Sequence, residues 1–347
     1  MEHLAFLRDC DVAIITSPAA LFYLSGFDQS DATIVVTESD AYYLTSSLYE
    51  IAVKTAVRPE FTIKVMTRKE QADFLRLAVS KATKVGLEFD DMTLSRFRAL
   101  ISEDKDIVDI SPRLASLRLT KSPAEIALIK EAEAIVDRAF AEVTPLLKVG
   151  VTERYIKEEL RRAMFRLGAE DVAFDTIVAF GENAAMPHAV SSDRALRAGD
   201  CVLMDFGAKY KGYMSDFTRT LFCGSPTTKF LNAYDVVLKA QLAAIDYIEM
   251  GGRSAKEADR IAREVVDGSD FRGKFTHTLG HGVGIQIHEA PSLSTVSDDV
   301  LTDGCVFTVE PGVYLEGEFG IRIESLCVLE NGKLTVIDRS DKQIITV

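Results

Sequence analysis

The stretch CVLMDFGAKYKGYMSDFTRTLF, residues 201–222, reads as two apolar strands joined by a short turn. Each strand carries one acid in its apolar interior, Asp205 and Asp216, where an unpaired carboxylate is costly to bury. A two-residue turn within Lys209-Tyr210-Lys211-Gly212 sets Asp205 opposite Asp216, with both carboxylates on one face. Alternatively, Gly212 hosts a bulge that shifts the register by one. Two facing carboxylates repel each other unless a cation or a proton sits between them. The plain alternative is a pair of solvated strand-face acids.

The same kind of strand recurs outward from this hairpin. Runs 172–180, 305–310 and 321–329 are strand-like, and runs 227–249 and 254–267 have helical spacing. Upstream, Ser122-Pro123-Ala124-Glu125 is a capping box with proline at the first helical position. The helix it opens runs to about residue 147, with Ile126, Ile129, Ala132, Ile135 and Phe140 on one face. A second helix covers 152–167 and stops at Gly168. This part is α+β with mainly antiparallel strands. Before it, strand-like runs at 12–17, 32–38, 41–46, 61–67 and 84–89 alternate with helical runs at 49–58, 69–83 and 93–103. That pattern is a smaller α/β domain. The expected domains are 1–117 and 118–347.

Three more clusters carry chemistry. THTLGHGVGIQIHE, residues 276–289, holds His277, His281 and His288. The spacing of His277 and His281 suits a metal-binding helix, but glycines at 280, 282 and 284 argue for an extended segment. In FTVEPGVY, residues 307–314, Glu310 ends an apolar strand and is followed by a Pro-Gly turn. In GIRIE, residues 320–324, Arg322 and Glu324 are two apart and share a strand face, an arrangement equally open to a simple charge pair. Four carboxylates with histidine form a hard-oxygen donor set suited to Mn²⁺, Fe²⁺, Co²⁺ or Zn²⁺. Four carboxylates can neutralise two such ions, and a hydroxide between them is a potent nucleophile near neutral pH.

Composition narrows the classes. The 347 residues favour two domains, and 47 % hydrophobic residues suit a chain that buries a core without staples. The net charge of −13 argues against a nucleic-acid partner, which needs a basic face. No run reaches the length of a membrane span. The opening MEHLAFLRDCDVAIITS has early acids and no long apolar run, so a signal peptide is not expected. Five cysteines without a C-x-x-C pair read as buried reduced thiols of a cytoplasmic protein. Four of the five histidines fall between residues 188 and 288, leaving His3 apart.

Taken in order, DFGxxxxGYxSDFTRT, GHGVGxxxHE, VEPGVY and the RIE strand resemble the pita-bread metallopeptidases, which include X-Pro aminopeptidases, prolidases and methionine aminopeptidases. The first 115 residues resemble the creatinase-type N-terminal domain, which points to the X-Pro branch. The resemblance implies a pita-bread catalytic domain, two divalent metal ions (manganese first) and a homodimer. It implies that Asp205, Asp216, His281, Glu310 and Glu324 hold the metals, with Asp216 and Glu324 bridging. Asp205 completes one site, His281 and Glu310 the other, and Glu310 shuttles the proton. His188 matches a substrate-contacting histidine. His277 and His288 match the pair that stabilises the tetrahedral intermediate and binds the residue after the scissile bond. Phe174 and Ile287 would wall a proline pocket, and Tyr314 and Arg322 would serve the substrate side or orient the ligands. The implied activity is hydrolysis of the bond between an N-terminal residue and a following proline. The alternatives are an X-Pro dipeptidase and a metal-dependent non-peptidase hydrolase or lyase. A ligand-free binding module ranks last, since all five ligands are present.

Three positions depart from the family pattern. Ser325 follows Glu324 where aspartate is usual, Ser292 stands four residues after His288 where dipeptidases often have arginine, and Ser46-Ser47-Leu48-Tyr49 replaces an Asp-x-Arg-Tyr turn. The second of these favours aminopeptidase over dipeptidase.

Overall fold

The computed structural model describes residues 9–347. The first eight residues of the opening stretch, with His3, lie outside the described part. The chain forms two compact units, Met1–Arg118 and Leu119–Val347.

The first unit is built in the order β1 (Val12–Ile15), α1 (Pro18–Ser25), β2 (Thr33–Thr37), β3 (Ala41–Thr45), α2 (Glu50–Ala56), β4 (Thr62–Val65), α3 (Arg68–Lys81), β5 (Lys84–Leu87), α4 (Leu94–Leu100), β6 (Asp106–Asp109) and α5 (Ser111–Leu119). Its six strands form one mixed sheet in the order β4-β3-β2-β1-β5-β6. Val12, Ile14, Val35 and Leu44 pack on one face of this sheet, and Ala13, Ile15, Ile34 and Tyr43 on the other. That alternation is the period of two of a strand covered on both sides. Three of its elements, α1, β6 and α5, go beyond the sequence expectation. The signal for α1 was present: Ser17 caps it and Pro18 occupies its first position.

The second unit continues with α6 (Pro123–Val143), α7 (Glu153–Arg166), β7 (Asp171–Val172), β8 (Ile177–Phe180), β9 (Cys201–Phe206), β10 (Ala208–Tyr210), β11 (Tyr213–Met214), β12 (Phe217–Phe222), α8 (Thr228–Glu249) and α9 (Ala255–Asp267). It ends with β13 (Gly280–Gly282), β14 (Glu289–Leu293), β15 (Val306–Val309), β16 (Gly312–Leu315), β17 (Phe319–Arg322), β18 (Ser325–Glu330) and β19 (Lys333–Val336). Its sheets, β11-β10-β7, β12-β9-β8, β14-β13-β15-β18-β19 and β16-β17, are paired antiparallel throughout. Ser122 and Glu125 close both halves of the capping box on α6, and the five expected apolar residues of its face are buried. All five cysteines are buried, and none is in a disulfide. No helix among the described residues is long and apolar enough to cross a membrane.

Two strand expectations need correction. The hairpin does not turn on Tyr210-Lys211. It turns one residue later, on Lys211-Gly212, whose φ angles of 47° and 83° fit the left-handed residues of a type I′ turn. Asp205 therefore pairs with Thr218, not Asp216. The slip is two positions, so parity is kept and both acids still reach one cavity. The second correction concerns continuity. The run 172–180 breaks between β7 and β8, 213–222 breaks at Ser215-Asp216, and 321–329 breaks at Ile323-Glu324. Glu324 is thus not on the strand that carries Arg322. At each of the last two breaks the backbone leaves the ladder where an acid must turn inward, as irregular pairing commonly does beside a site.

Candidate metal centre

The second unit holds a cavity of about 740 Å³. The β9–β12 pair supplies Asp205 and Asp216 to it. Along β12, Thr218 and Thr220 alternate with Phe217, Arg219 and Leu221, so Asp216, Thr218 and Thr220 share a face. Thr218 Oγ1 donates to Glu324 Oε2 at 2.7 Å, and Glu324 N–H donates to Thr218 O at 3.1 Å. Thr220 Oγ1 donates to Arg322 O at 2.9 Å. One threonine face thereby ties the first pair of acids to the segment carrying Glu324.

Glu310 follows β15 and Glu324 precedes β18, immediately beyond the Val309–Ser325 pair that ends their ladder. The two acids sit where paired strands diverge. Gln241, from α8, holds that fork: its Nε2 donates to Val309 O and Ile323 O, both at 2.9 Å. His281 comes from β13, whose glycines are required for close approach. A Cβ on Gly280 would lie 2.1 Å from Thr308 O, and one on Gly282 would lie 2.1 Å from Ala290 O. His281 Nδ1 is 3.1 Å from Gly282 O, which leaves Nε2 3.2 Å from Glu310 Oε1 and 3.4 Å from Asp216 Oδ2. Asp216, His281 and Glu324 place one ligand atom each within 4.8 Å of one another.

The electrostatics of this cluster are strained without a cation. Burial, then the charges of Glu324 and Asp205, pushes the Asp216 carboxyl well above its usual range. Burial, then Glu310 and Asp205, does the same to Glu324. Asp205 is raised by burial, against the pull of Arg322. Glu310 goes the other way: burial would raise it, but His281, His277 and Arg322 together hold it at about 2. Burial alone would lower His281, yet Glu310 lifts it above its ordinary value. Asp205 Oδ1 and Glu324 Oε1 are buried with no hydrogen-bond partner. Buried acceptors without donors, aimed among like charges, fit a divalent cation and hard-oxygen ligation.

The remaining expected residues lie at the cavity, with Tyr314 and His277 as two exceptions in how they are placed. His188, Phe174, Ile287, His288 and Arg322 line the cavity. His188 and His288 are exposed, and the His288 ring stands edge-on to His281 with centroids 4.3 Å apart. Burial and the neighbouring His281 charge lower the His288 pKa. Tyr314 is the first exception. It is not on the cavity wall but behind it, accepting from Arg322 Nη1 at 2.6 Å and lying 2.9 Å from His277 Nε2. Of the two roles expected for it, the bridging contact between Arg322 and His277 fits orienting the ligands, not touching substrate. His277 is the second. It lines the cavity, but Thr278 O lies 2.8 Å from Nδ1 and Tyr314 from Nε2, so both ring nitrogens are engaged. As placed, it offers no free donor to an oxyanion.

Several residues that position the site escaped the sequence reading. Thr218 had a signal, since it lies two residues from Asp216 on a strand. Gln241 and Asp338 had none, because they come from distant elements. Asp338 accepts from Arg219 Nη2 at 2.7 Å in a fully buried pair, and from Ser325 Oγ at 3.4 Å. Arg219 Nη1 in turn donates to Glu324 O. Asp338 thus stands beside Ser325, and Arg219 links it to the Glu324 backbone.

Two family models match the chain: metallopeptidase family M24 over residues 127–331, and the creatinase/prolidase N-terminal domain over residues 7–120. The chain belongs to metallopeptidase family M24. A Xaa-Pro dipeptidase of Pyrococcus furiosus is 34 % identical over 334 residues, 95 % of this chain and 94 % of that protein. Among solved structures, a Xaa-Pro dipeptidase from Bacillus anthracis superposes with a TM-score of 0.93 at 34 % identity, covering 100 % of this chain and 98 % of that one. An X-Pro aminopeptidase from Thermotoga maritima gives 0.89 at 35 % identity, with 99 % of each chain covered. This M24 metallopeptidase accordingly has the pita-bread catalytic fold, preceded in sequence by a creatinase-type N-terminal domain. The resemblance in the motifs extends over the whole chain.

Proposed function

We propose that this M24 protein is a metal-dependent X-Pro aminopeptidase that cleaves between an N-terminal residue and a following proline. The observation that carries it is the convergence of Asp205, Asp216, His281, Glu310 and Glu324 on one cavity, with buried carboxylate oxygens that no protein group satisfies. In this reading Asp205, Asp216, His281, Glu310 and Glu324 would together hold the divalent metal. Bound there, such an ion would supply Lewis acidity, for the scissile carbonyl and for a water that needs to be acidic near neutral pH.

The chain's own groups do the rest. An X-Pro bond has no N–H, so its leaving nitrogen must gain a proton. Glu310, 14 % exposed at the edge of the cavity, takes the proton of the attacking water and passes it to that nitrogen. His188 and His288, both exposed on the cavity wall, hydrogen-bond the substrate backbone and the developing oxyanion. Phe174 and Ile287 provide the apolar wall for the proline ring. Arg322 holds Asp205 in place and so orients a ligand.

The dipeptidase reading has support in two of the relatives, which are Xaa-Pro dipeptidases. Against it, the single Lys or Arg on the described cavity wall is Arg322, already committed to Asp205 and Tyr314. A dipeptide's terminal carboxylate therefore meets no free cation there. Metal analysis and a panel of X-Pro dipeptides, longer X-Pro peptides and N-terminal Met peptides test the reading. Longer X-Pro peptides should be turned over best, and His281→Ala should abolish turnover. Undiminished turnover by a metal-loaded His281→Ala protein would sink the proposal.

A further inference from the structure

Beyond the five metal-facing side chains, the cavity wall carries three more acids: Asp175, Glu289 and Asp299. Two are compensated. Lys157 Nζ lies 2.6 Å from Asp175 Oδ1, and the buried Lys121 Nζ lies 2.7 Å from Glu289 Oε1. Asp299 has no cationic partner among the described residues; its Oδ2 accepts only the Ser292 backbone N–H, at 2.8 Å. Ser292 pairs with His281 across the β13–β14 ladder and lies four residues beyond His288. The wall past His288 thus presents a small hydroxyl and an uncompensated carboxylate, in a cavity whose lone guanidinium is spent elsewhere.

A partly enclosed carboxylate attracts an ammonium or guanidinium and repels another carboxylate, and the low dielectric of a cavity strengthens both effects. We propose that Asp299 is a specificity-determining residue that selects peptides with lysine or arginine directly after the proline and rejects a carboxylate there. The inference rests on the X-Pro reading above and sharpens its substrate class: X-Pro-Lys and X-Pro-Arg peptides, not X-Pro dipeptides. The family resemblance sets His288 against the residue after the scissile bond, and Ser292 and Asp299 line the same cavity, where the next residue would lie. The small Ser292 side chain leaves room for a long basic side chain to approach.

The test uses the metal-loaded full chain and the peptides Ala-Pro-Lys-Gly-amide, Ala-Pro-Gln-Gly-amide, Ala-Pro-Glu-Gly-amide, Lys-Pro-Gln-Gly-amide and Ala-Pro. The wild type should favour lysine over glutamate at the third position by about tenfold in kcat/KM. That ratio should shrink as salt screens the pair. Asp299→Asn, whose amide oxygen can still accept the Ser292 N–H, should bring the ratio to within about twofold. Ser292→Lys should reverse it and raise hydrolysis of Ala-Pro. A purely structural role for Asp299 would lower every peptide alike and leave the ratio unmoved. A flat wild-type ratio overturns the proposal, as does an Asp299→Asn effect confined to Lys-Pro-Gln-Gly-amide. Binding of the labelled peptides to metal-free protein separates the two levels. Lysine preference in binding without turnover of any peptide defeats the X-Pro reading alone. Turnover without preference defeats the Asp299 assignment alone.

Discussion

Two regions of the second unit bury carboxylates to nearly the same depth and use them in opposite ways. Glu153, at the start of α7, is fully buried and fully satisfied. Its Oε1 accepts from Phe180 N–H at 2.8 Å and Asn183 Nδ2 at 2.9 Å, and its Oε2 accepts from Ser192 N–H at 2.8 Å and Ser192 Oγ at 2.6 Å. Glu324, 1 % exposed, accepts from Thr218 on one oxygen and leaves the other bare among Asp205, Asp216 and Glu310. The first arrangement is a structural clip: four donors would be stranded without it. The second is unfavourable until something outside the chain arrives. Burial depth does not separate a structural acid from a candidate ligand; the census of its lone pairs does.

Four substitutions break or sharpen that contrast. The largest effect is expected for Glu324→Gln. Its turnover should fall more than about 100-fold, beyond the loss typical of groups behind the ligands. Melting of the metal-free protein should not drop, because a neutral amide replaces a carboxyl whose anion burial and the neighbouring acids already disfavour. The metal-dependent gain of the wild type, about 2.7 kcal/mol at 100 times Kd, should disappear. Calorimetry with and without metal reads both. Glu153→Ala should show the reverse pattern: a loss of about 3 kcal/mol in urea unfolding, with metal content per folded molecule retained. A Glu153→Ala protein as stable as the wild type would dissolve the contrast.

Tyr314→Phe is a smaller step. It removes the hydroxyl between Arg322 and His277, and should cost about 10-fold to 100-fold in kcat with metal still bound. The smallest effect tests an acid that fits neither class. Glu133, on α6, is fully buried with neither oxygen hydrogen-bonded. Burial, then the charges of Asp338, Asp137 and Glu324, pushes its pKa well above 4.5. The folded protein therefore holds this proton more tightly than the unfolded chain. That contribution is fully present below pH 4.5 and is lost as pH rises towards the raised folded pKa. Glu133→Gln should flatten this loss, by at most about 1.4 kcal/mol per pH unit. Unfolding curves of both proteins across pH 4–8, at metal-free conditions, measure it.

Much of the site was legible because its signals are local. The Ser122–Glu125 box needs only one turn of chain, and it formed as read. The inward acids of residues 201–222 needed only strand parity. That is why a turn misplaced by one residue, and hence a register slip of two, still left Asp205 and Asp216 in one cavity. Where the reading failed, the missing information was not local. The breaks at Ser215-Asp216 and Ile323-Glu324 arise where sheets diverge around the cavity, and no period-two pattern marks them. Tyr314 stayed open between the substrate side and orienting the ligands, because only the fold shows its hydroxyl facing Arg322 and His277 from behind the wall.

The amino-acid sequence by itself determined the donor types, their order and their faces, because side-chain chemistry, capping and strand alternation act over a few residues. The family followed from those motifs. Tertiary structure alone decided which oxygens remain unsatisfied. It brought Gln241 to the fork at Val309 and Ile323, and Asp338 to the place beside Ser325. It also left Asp299 without a cation on the cavity wall while Asp175 and Glu289 received one each. Those outcomes depend on the packing of elements tens to hundreds of residues apart, and only the closed fold sets which donor reaches which acceptor.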